Sequence, residues 1–528
     1  MKKNKVSKFN LIFFAVILLV TIILLINFSR KNGFHMDEIY SYGLSNSYYE
    51  PFPWKFNEWI PGEYYQNYVS TSQNDRFNFG SVFYNQSRDV HPPFYYLILH
   101  TVSSLFPNIF SKWIGLSVNL IIHLVTFYFI FLIIKKITNN KWISLSGAIF
   151  WILSKGAIDS LNFIRMYPLL TLIQTILLYF ILLYHNENSK SKFIMLSLFI
   201  TYCLGALTHY YFYLYAFILT LVICLILLFE KRFKRMFVYA ITALMGVCSA
   251  MLIFPSVFNH VTQSNRGQEV LEGFENNIFQ DGNPYFNFVR VDLFKNLPTS
   301  FYIITISILF VLLIINYWNM RKNKSIDLKK YSIIHKIKIL GIILLPTLLF
   351  IYIVQQVSHY ETPRYIFAVY PMIIISVFFC GYHLLKFIFN CQVSTIIVGI
   401  LTITFSAYGL INQSSDYYFS NKTYLSENIE DINSSNVLVL MDQYWKITNY
   451  VLDLRDFNEV FPVEIGNNLD NNLPDKTILK DINNLYILYS KNEDVEEKQL
   501  IDTLLLKYDF LNLEKVAESQ TFILYKIE

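Results

Sequence analysis

Long charge-free runs of apolar residues alternate with short polar segments over most of the chain. The first run, residues 9–29, follows a lysine-rich start and contains no charged side chain. At about 1.5 Å per helical residue, such a run crosses a hydrocarbon core of roughly 30 Å. A signal peptide would have an apolar region of only about 7 to 15 residues followed by a small-residue cleavage site, so we interpret the run as a retained anchor.

Ten further runs of the same character predict additional transmembrane helices. Most are long enough to cross a bilayer, but the run 142–154 is short and lies between Lys141 and Lys155, whose side chains would have to snorkel to the interface. The pattern predicts about eleven transmembrane helices. The ten runs are 113–134, 142–154, 168–184, 193–208, 210–229, 236–254, 299–320, 339–358, 365–382 and 393–411.

The composition supports a multi-pass α-helical membrane protein. Hydrophobic residues make up 54% of the 528 positions, charged residues only 15%, and the mean hydropathy is +0.38. The five cysteines all lie in or beside the apolar runs, which argues against disulfides and zinc-finger sites. Abundant Asn, Ile, Lys and Tyr indicate a bacterial protein from an AT-rich genome.

The distribution of basic residues predicts the orientation in the membrane. Short cytoplasmic loops are enriched in Lys and Arg, and with eleven spans and a cytoplasmic N-terminus the basic clusters all fall on the cytoplasmic side. Without the short span 142–154 they would be divided between both sides, so we retain it. The long loops 30–112 and 255–298 are then extracytoplasmic. The clusters are residues 135–141, 190–192, 231–235 and 321–338.

The segment 412–528 differs in character from the rest. It contains 21 acidic and 10 basic residues, against 17 and 33 before it. Strand-like runs at 437–441, 485–489 and 521–527 alternate with helix-like segments at 443–454 and 496–510. We therefore predict two domains, a membrane domain 1–411 and a small extracytoplasmic α/β domain 412–528. No internal repeat typical of many secondary transporters is visible.

Five polar motifs fall at extracytoplasmic ends of the predicted spans. They are HMDEIYSYGLS (35–45), SRDVHPPFYYLILH (87–100), LNFIRMYPLL (161–170), THYYFYLY (208–215) and SHYETPRYIF (358–367). Transporters more often place charged groups near the bilayer midplane. Acids, histidines, arginines and tyrosines gathered at one interface instead favour a reaction between a lipid-borne group and a molecule outside.

In combination, these motifs resemble a known family. The acidic pair Asp37-Glu38 after the first span, the DVHPPFYY run at 89–96, RMY at 165–167 and PRY at 363–365 resemble the GT-C glycosyltransferases related to protein O-mannosyltransferases and the aminoarabinose transferase of lipid A (glycosyltransferase family 39-like). The resemblance spans roughly residues 9–411. It implies the GT-C architecture, a polyprenyl-phosphate sugar donor and transfer with inversion.

The chemistry of such a transfer suggests roles for single residues. The acceptor must lose a proton, so we expect Asp37 to be the general base, and Glu38, on another face of a helix, to organise the loop or a metal. Arg165 and Arg364 can bind the leaving phosphate bidentately. Further expected substrate-binding residues are Asp89, His91, Tyr167, His209, Tyr210 and Tyr365, with possible assistance from Lys155.

A second carboxylate and a metal ion are open questions at this point. Many relatives carry an acidic residue two positions before the arginine of RMY, where this chain has Phe163. Asp159 or Asp89 could take that role. A divalent metal ion is a further candidate cofactor, because His35, Asp37, Glu38 and His91 have ligand-type side chains, but they do not show a closed metal-binding spacing such as HExxH.

Structural readings compete with these roles. Asp37 and Glu38 could cap a helix, Pro92-Pro93 could shape the entry to a helix, the arginines could anchor headgroups, and the tyrosines could form an aromatic belt. The predicted function is sugar transfer from a polyprenyl-phosphate donor to a cell-envelope glycan, lipid or protein, with no nucleic-acid partner. The alternatives are a ligase or phospho-group transferase acting on a larger polyprenyl-linked glycan, and a flippase or transporter.

Overall fold

The computed structural model describes most of the chain, with several gaps. The predicted span 299–320 lies outside the described residues. The described residues are 8–186, 192–263, 284–294, 326–358, 360–412, 414–422, 424–465, 473–476, 479, 484–491, 497–508, 512–519 and 521–527.

The described chain divides into two compact units that interleave along the sequence. The first consists of Met1–Lys31, Asp89–Tyr95 and Gly115–Tyr418, and the second of Asn32–Arg88, Tyr96–Ile114 and Phe419–Glu528. The first predicted extracytoplasmic loop and the acidic C-terminal segment therefore contribute mainly to the same unit.

The first unit is helical. Among the described residues, eight helical stretches are long and apolar enough to cross a membrane: Lys8–Ser29, Lys112–Thr138, Tyr167–His185, Tyr210–Phe229, Phe233–Ile253, Ile334–Val357, Pro363–Ile388 and Cys391–Asn412. Two shorter apolar helices, Lys141–Ile152 and Lys192–Ala206, coincide with the predicted runs 142–154 and 193–208. The prediction of a multi-pass α-helical membrane protein is confirmed.

Several of these helices expose large apolar side chains. On the first, Leu11, Phe14 and Leu18 expose 68%, 66% and 63% of their surface. In water such a surface would be unfavourable at about 25 cal/mol per Å², whereas lipid tails are as apolar as the side chains themselves. The exposed apolar faces thus identify the surface that contacts the bilayer.

The first unit also contains short helices, and the PRY motif begins one of them. The Lys155–Asn162 helix begins after Ser154, whose hydroxyl accepts a hydrogen bond from the Ala157 amide at 3.3 Å. The other short helices are Val257–Thr262 and Pro284–Phe294. A 3₁₀ helix, Pro363–Val369, leads directly into the Tyr370–Ile388 helix, and Pro363 suits its first turn because a helix start needs no amide donor there.

The second unit combines helices with a mixed sheet. Its helices are Met36–Asn46, Gly62–Val69, Phe79–Arg88, Phe94–Ser103, which begins in the first unit, and Glu497–Tyr508. The strands are β1 (Ile60–Pro61), β2 (Asn436–Met441), β3 (Glu459–Glu464), β4 (Leu485–Ser490), β5 (Leu513–Glu518) and β6 (Phe522–Ile527), in the spatial order β1-β3-β2-β4-β6-β5.

Strand β2 lies at the centre of a parallel core, paired with β3 on one side and β4 on the other. The pairs β4–β6, β5–β6 and β1–β3 are antiparallel. One face of the sheet packs against the Glu497–Tyr508 helix, where Leu500 and Leu504 join Leu438, Phe461 and Ile487 in a buried apolar core. The near-continuous apolar sequences of β2 and β4 fit central strands covered on both faces.

The strands predicted at 437–441, 485–489 and 521–527 and the helix predicted at 496–510 are confirmed. The segment 443–454, predicted as a helix, is a 3₁₀ helix over Tyr444–Tyr450 followed by one α-helical turn, Val451–Leu454. Strand β3 was not predicted because Pro462 lies within it, and a proline normally argues against an inner strand.

Candidate functional site

Asp89 and His91 of the HPP motif form an ion-pair hydrogen bond in the first unit. His91 Nδ1 lies 2.7 Å from Asp89 Oδ2, and both side chains are largely buried. Burial acts to raise the pKa of Asp89, but the charge and hydrogen bond of His91, aided by the charge of Arg165, outweigh it and lower that pKa. Both neighbours therefore favour the ionised form of the Asp89 carboxyl group.

His209 lies next to this pair and caps the Tyr210–Phe229 helix. Its Nδ1 accepts the Tyr211 amide at 3.0 Å. Burial, together with the positive charges of His91 and Arg165, holds the pKa of His209 well below its ordinary value. A neutral ring that accepts at Nδ1 carries its proton on Nε2, so His209 provides a neutral N–H donor.

Aromatic rings join the HPP, RMY and THYY motifs. The centroid of the His209 ring lies 5.8 Å from that of His91, 5.5 Å from that of Tyr167 and 4.9 Å from that of Tyr211. Arg165, in the same RMY motif as Tyr167, is buried with 5% of its surface exposed. We call Asp89, His91, Arg165, Tyr167 and His209 the histidine cluster.

The PRY motif reaches the same cluster through further rings. Tyr365 lies edge-on to Tyr211 with 5.6 Å between centroids, and the Arg364 guanidinium lies 5.5 Å from the Tyr365 ring centroid. The same guanidinium lies 5.7 Å from the ring centroid of Phe163, which stacks on Tyr167 at 5.9 Å. Four of the five sequence motifs are thus linked in one unit.

Tyr210, by contrast, is bonded to the Val257–Thr262 helix. Its hydroxyl lies 2.7 Å from Nδ1 of the buried His260. A tyrosine in this arrangement fixes the position of a connecting helix, and this contact does not depend on a substrate. The structure therefore gives the predicted substrate-binding residue Tyr210 a packing partner that the sequence did not suggest.

A second polar group surrounds Lys155, at the start of the Lys155–Asn162 helix. Its Nζ lies 2.6 Å from Asp159 Oδ2, 2.6 Å from Asp416 Oδ2 and 3.7 Å from Asp292 Oδ1. Tyr370 donates to Asp292 at 2.6 Å. We call Lys155, Asp159, Asp292, Asp416 and Tyr370 the lysine cluster.

Burial and charge act in opposite directions on the lysine cluster. Burial raises the pKa of Asp159 to about 7 although Lys155 opposes the change, and burial likewise raises the pKa of Asp292. Burial acts to lower the pKa of Lys155, but the carboxylates of Asp159 and Asp292 outweigh it and raise that pKa. The ammonium ion therefore remains charged, and Asp159 can exchange a proton near neutral pH.

Sequence reasoning named Lys155 and Asp159 but missed Asp292, Asp416 and Tyr370. Asp292 lies in a long loop sequence, and Asp416 lies four residues after the last span, so neither position carries a local signal. The ring of Tyr417 stacks on Phe163 with 4.3 Å between centroids. This contact connects the segment of Asp416 to the residue that occupies the expected acidic position of the RMY motif.

The motif HMDEIYSYGLS, in the second unit, forms the N-cap and nearly the whole length of the Met36–Asn46 helix. His35 is its N-cap, and His35 Nδ1 accepts the Asp37 amide at 3.1 Å. The buried Glu38 carboxylate accepts the His35 amide at 2.7 Å, which completes a capping box. The Asp37 side chain keeps 23% of its surface exposed. Both acids contact His35: Glu38 is buried, whereas Asp37, whose Oδ2 lies 3.6 Å from His35 Nδ1, keeps access to solvent.

Metal-ligating side chains do not assemble in the part of the chain that the structure describes. No group of three or more His, Cys, Asp or Glu side chains there has an arrangement that could hold a metal ion. His91, one of the four candidate ligands, bonds Asp89 through Nδ1, and Glu38, another, bonds the His35 amide. The five cysteines are free.

Comparisons with known proteins give a match at the level of the fold. No protein-family model and no curated protein matches the chain. The crystal structure of ArnT from Cupriavidus metallidurans in the apo state matches with a TM-score of 0.51 and 11% sequence identity, over 98% of this chain and 97% of ArnT. The structure of the same protein bound to undecaprenyl phosphate matches with a TM-score of 0.49 and 11% identity, over 99% and 98% of the two chains. The apo match confirms the predicted GT-C fold.

Proposed function

From the GT-C fold shared with ArnT, we propose that this chain is an integral-membrane glycosyltransferase. It transfers a sugar from a polyprenyl-phosphate donor to a cell-envelope acceptor at the outer face of the cytoplasmic membrane. The observation that carries the proposal is the convergence of the HPP, RMY, THYY and PRY motifs on the histidine cluster, with Arg165 and Arg364 contributing two permanent cations.

The arginines suit a phosphate that leaves with negative charge. A guanidinium stays protonated at every relevant pH and presents paired N–H donors that match phosphate oxygens. Donors fixed before the reaction stabilise the developing charge without reorganisation, an effect worth about 10²–10³ in rate for a single donor. In this proposal Arg165 and Arg364 bind the phosphate, and the neutral His209 donates from Nε2 to the same group.

The reaction is a single displacement. An acceptor hydroxyl oxygen attacks the anomeric carbon, the bond from that carbon to the phosphate oxygen breaks, and its electron pair leaves with the polyprenyl phosphate. The acceptor proton passes to a carboxylate, for which we propose Asp37 because it is the more accessible member of the acidic pair. One displacement inverts the anomeric centre.

The second acidic role falls to Asp89 in this proposal. Its carboxylate bonds His91 Nδ1 at 2.7 Å and lies within the field of Arg165, so it fixes the orientation of the His91 ring. Asp159 instead belongs to the lysine cluster. A metal ion is not required by this scheme, since two guanidinium groups and the neutral His209 donor supply the electrophilic stabilisation.

Replacement of Asp37 by Asn tests the base. General-base assistance is typically worth about 10²–10⁴, so Asp37→Asn should lower the transfer rate from a purified polyprenyl-phosphate sugar by at least 100-fold while the protein accumulates in the membrane. Glu63→Gln is the matched control, because Glu63 is an exposed acid in the first turn of another helix of the same unit. Asp37→Asn activity within tenfold of wild type would exclude Asp37 as the base.

Replacement of Arg364 tests donor binding. Arg364→Ala should raise the donor KM and weaken inhibition by free polyprenyl phosphate, with Arg364→Lys intermediate because lysine keeps the charge but loses the bidentate geometry. Arg88→Ala is the control, since Arg88 also lies over a tyrosine ring but is exposed. Unchanged donor KM in Arg364→Ala would assign this arginine to packing.

Product analysis separates transfer of one sugar from ligation of a whole glycan.

A further inference from the structure

A cleft in the second unit is lined by residues that belong to none of the five sequence motifs. It has a volume of about 450 Å³ and is lined by Trp54, Phe56, Asn57, Tyr444 and Glu464. Small-molecule sites typically measure about 300–1,000 Å³ and combine apolar rings with a few polar groups. The cleft has this size and this composition, and none of its residues takes part in the proposed transfer.

The cleft lies at a characteristic place in an α/β sheet. Glu464 is the last residue of β3, and Tyr444 follows the end of β2 by three residues. These strands are parallel, so their carboxyl ends share one edge, and open α/β sheets bind ligands outside that edge. The other wall is the loop 52–57, which comes from a distant part of the sequence.

The loop is held to the sheet by its backbone. The Asn57 amide donates to the Pro462 carbonyl of β3 at 2.9 Å, and Asn57 adopts a left-handed conformation with φ of 62°. Three residues later, Ile60 pairs with Val460 in the β1–β3 ladder. A wall fixed in this way loses little conformational entropy when a ligand binds.

The aromatic residues are also preorganised. Phe52 stacks on Trp54 with centroids 4.0 Å apart and an interplanar angle of 8°, and Tyr444 meets Trp54 at 4.7 Å and 73°. The Tyr444 side chain is 43% exposed. The Trp54 indole N–H is shielded from solvent and has no hydrogen-bond partner among the described residues. The polar groups that a ligand in the cleft can reach are those of Asn57, Tyr444 and Glu464, which are all exposed.

The lining discriminates between classes of ligand. It offers donors from Asn57 and Tyr444 and acceptors from Asn57 and Glu464, and a sugar hydroxyl both donates and accepts. The electron-rich ring faces suit the C–H face of a pyranose. No Lys or Arg lines the described cleft, and Glu464 would repel a phosphate. The balance of polar and aromatic groups therefore favours a neutral saccharide.

We propose that this cleft binds a neutral saccharide unit and, on the basis of the proposed function, that this unit belongs to the glycan acceptor. The active site would then act on one part of the acceptor while the cleft holds another. By binding one saccharide unit of the acceptor, the cleft would give the second unit a role in acceptor selection.

Binding can be measured on the full-length protein in detergent without any donor. The probes are neutral trisaccharides ending in glucose, galactose, mannose or N-acetylglucosamine, titrated by calorimetry and by saturation-transfer NMR. We expect saturable binding of at least one probe, weakened at least tenfold in Tyr444→Ala and in the isosteric Glu464→Gln. Trp445→Ala is the matched control, because Trp445 is the exposed neighbour of Tyr444 outside the cleft lining, and its affinity should stay within twofold of wild type.

The outcomes separate this inference from the proposed function. If none of the probes binds, or if Tyr444→Ala and Trp445→Ala bind them with equal affinity, the cleft is not a saccharide site. This conclusion would hold even if the protein is an active transferase. Binding of tetramethylammonium but of no trisaccharide would overturn the saccharide proposal and identify the cleft as an aromatic cage for cations. If a bound trisaccharide also serves as acceptor, Tyr444→Ala should raise its KM with kcat unchanged, and an unchanged KM would overturn the acceptor role alone.

Discussion

Removal of the ammonium group from the lysine cluster gives the sharpest test of the electrostatics. In Lys155→Met the side-chain length is kept, but Asp159 and Asp292 lose their cation while exposing 0% and 3% of their side chains. Removal of one partner from a buried ion pair typically costs about 3–5 kcal/mol, because the remaining charge is left uncompensated. We expect a loss of stability of this size.

Asp416→Asn provides the control within the same cluster. Asp416 lies as close to Lys155 as Asp159 does, at 2.6 Å, but exposes 66% of its side chain, so water replaces the lost interaction. Exposed ion pairs contribute only about 0–1 kcal/mol. The two substitutions therefore remove contacts of equal length at very different expected costs in the free energy of unfolding. Lys155→Met should cost about 3–5 kcal/mol, and Asp416→Asn at most about 1 kcal/mol.

The pH dependence adds a second criterion. Burial raises the pKa of Asp159 to about 7 from an ordinary value near 3.8, so the folded state retains a proton that the unfolded chain releases. The contribution of Asp159 is thus most favourable at low pH and is lost as the pH rises towards 7. Without Lys155 this pKa rises further, and the deficit of Lys155→Met should grow between pH 5 and pH 8.

The measurement is the thermal unfolding midpoint of purified variants in detergent, followed by tryptophan fluorescence at pH 5, 6, 7 and 8. Lys155→Met should unfold at the lowest temperature, with the largest difference from wild type at pH 8. A Lys155→Met midpoint equal to that of Asp416→Asn, or a deficit that shrinks as the pH rises, would refute the assignment of charge in the lysine cluster.

Three further predictions address other parts of the chain. Gly62→Ala places a Cβ atom 2.0 Å from the Phe457 carbonyl oxygen, whereas a Cβ at Gly341 meets nothing within 4 Å. Limited proteolysis should show that Gly62→Ala lowers the free energy of unfolding by at least about 1–3 kcal/mol and that Gly341→Ala does not lower it. Glu38→Ala removes the capping box and should lower the unfolding midpoint by the equivalent of about 0.5–2 kcal/mol, with kcat of the folded fraction retained if capping is its whole role. His209→Gln keeps a neutral N–H donor and should retain transfer within about tenfold, whereas His209→Leu should lose more. Because the pKa of His209 is held well below its ordinary value, the pH–rate profile of the wild type should lack the ionisation that an ordinary histidine shows.

Local sequence patterns were sufficient to predict the apolar helices in the part of the chain that the structure describes. A charge-free run of about twenty residues can form all its backbone hydrogen bonds within one helix and present apolar side chains to the lipid. Helix bounds such as Tyr210–Phe229 therefore follow directly from the sequence. The strands β2 and β4 were equally clear because their apolar runs are short and uninterrupted. Strand β3 was missed because its pairing on both sides, with Pro462 in the middle, is a property of the sheet.

The motifs likewise indicated which residues to examine, but their partners came from the fold. Asp89 and His91 are two residues apart, so their pairing is local, whereas the ring contact that brings Tyr365 to Tyr211 joins sequence positions more than 150 residues apart. Such contacts carry no signal in a single sequence, since each residue alone is compatible with an interfacial aromatic belt.

The sequence by itself therefore determined the membrane-spanning character, the α/β nature of the C-terminal segment and the residue types available for phosphate and sugar chemistry, because each depends on composition or short-range periodicity. Only the tertiary structure decided that Glu38 caps a helix, that Lys155 binds Asp159 and Asp416, and that the loop 52–57 forms a cleft with β2 and β3. The contacts of Glu38 with His35 and of Lys155 with Asp159 are local in sequence, but their burial is not, and the Asp416 contact and the cleft join distant parts of the chain. Burial and charge pairing are set by the folded chain as a whole.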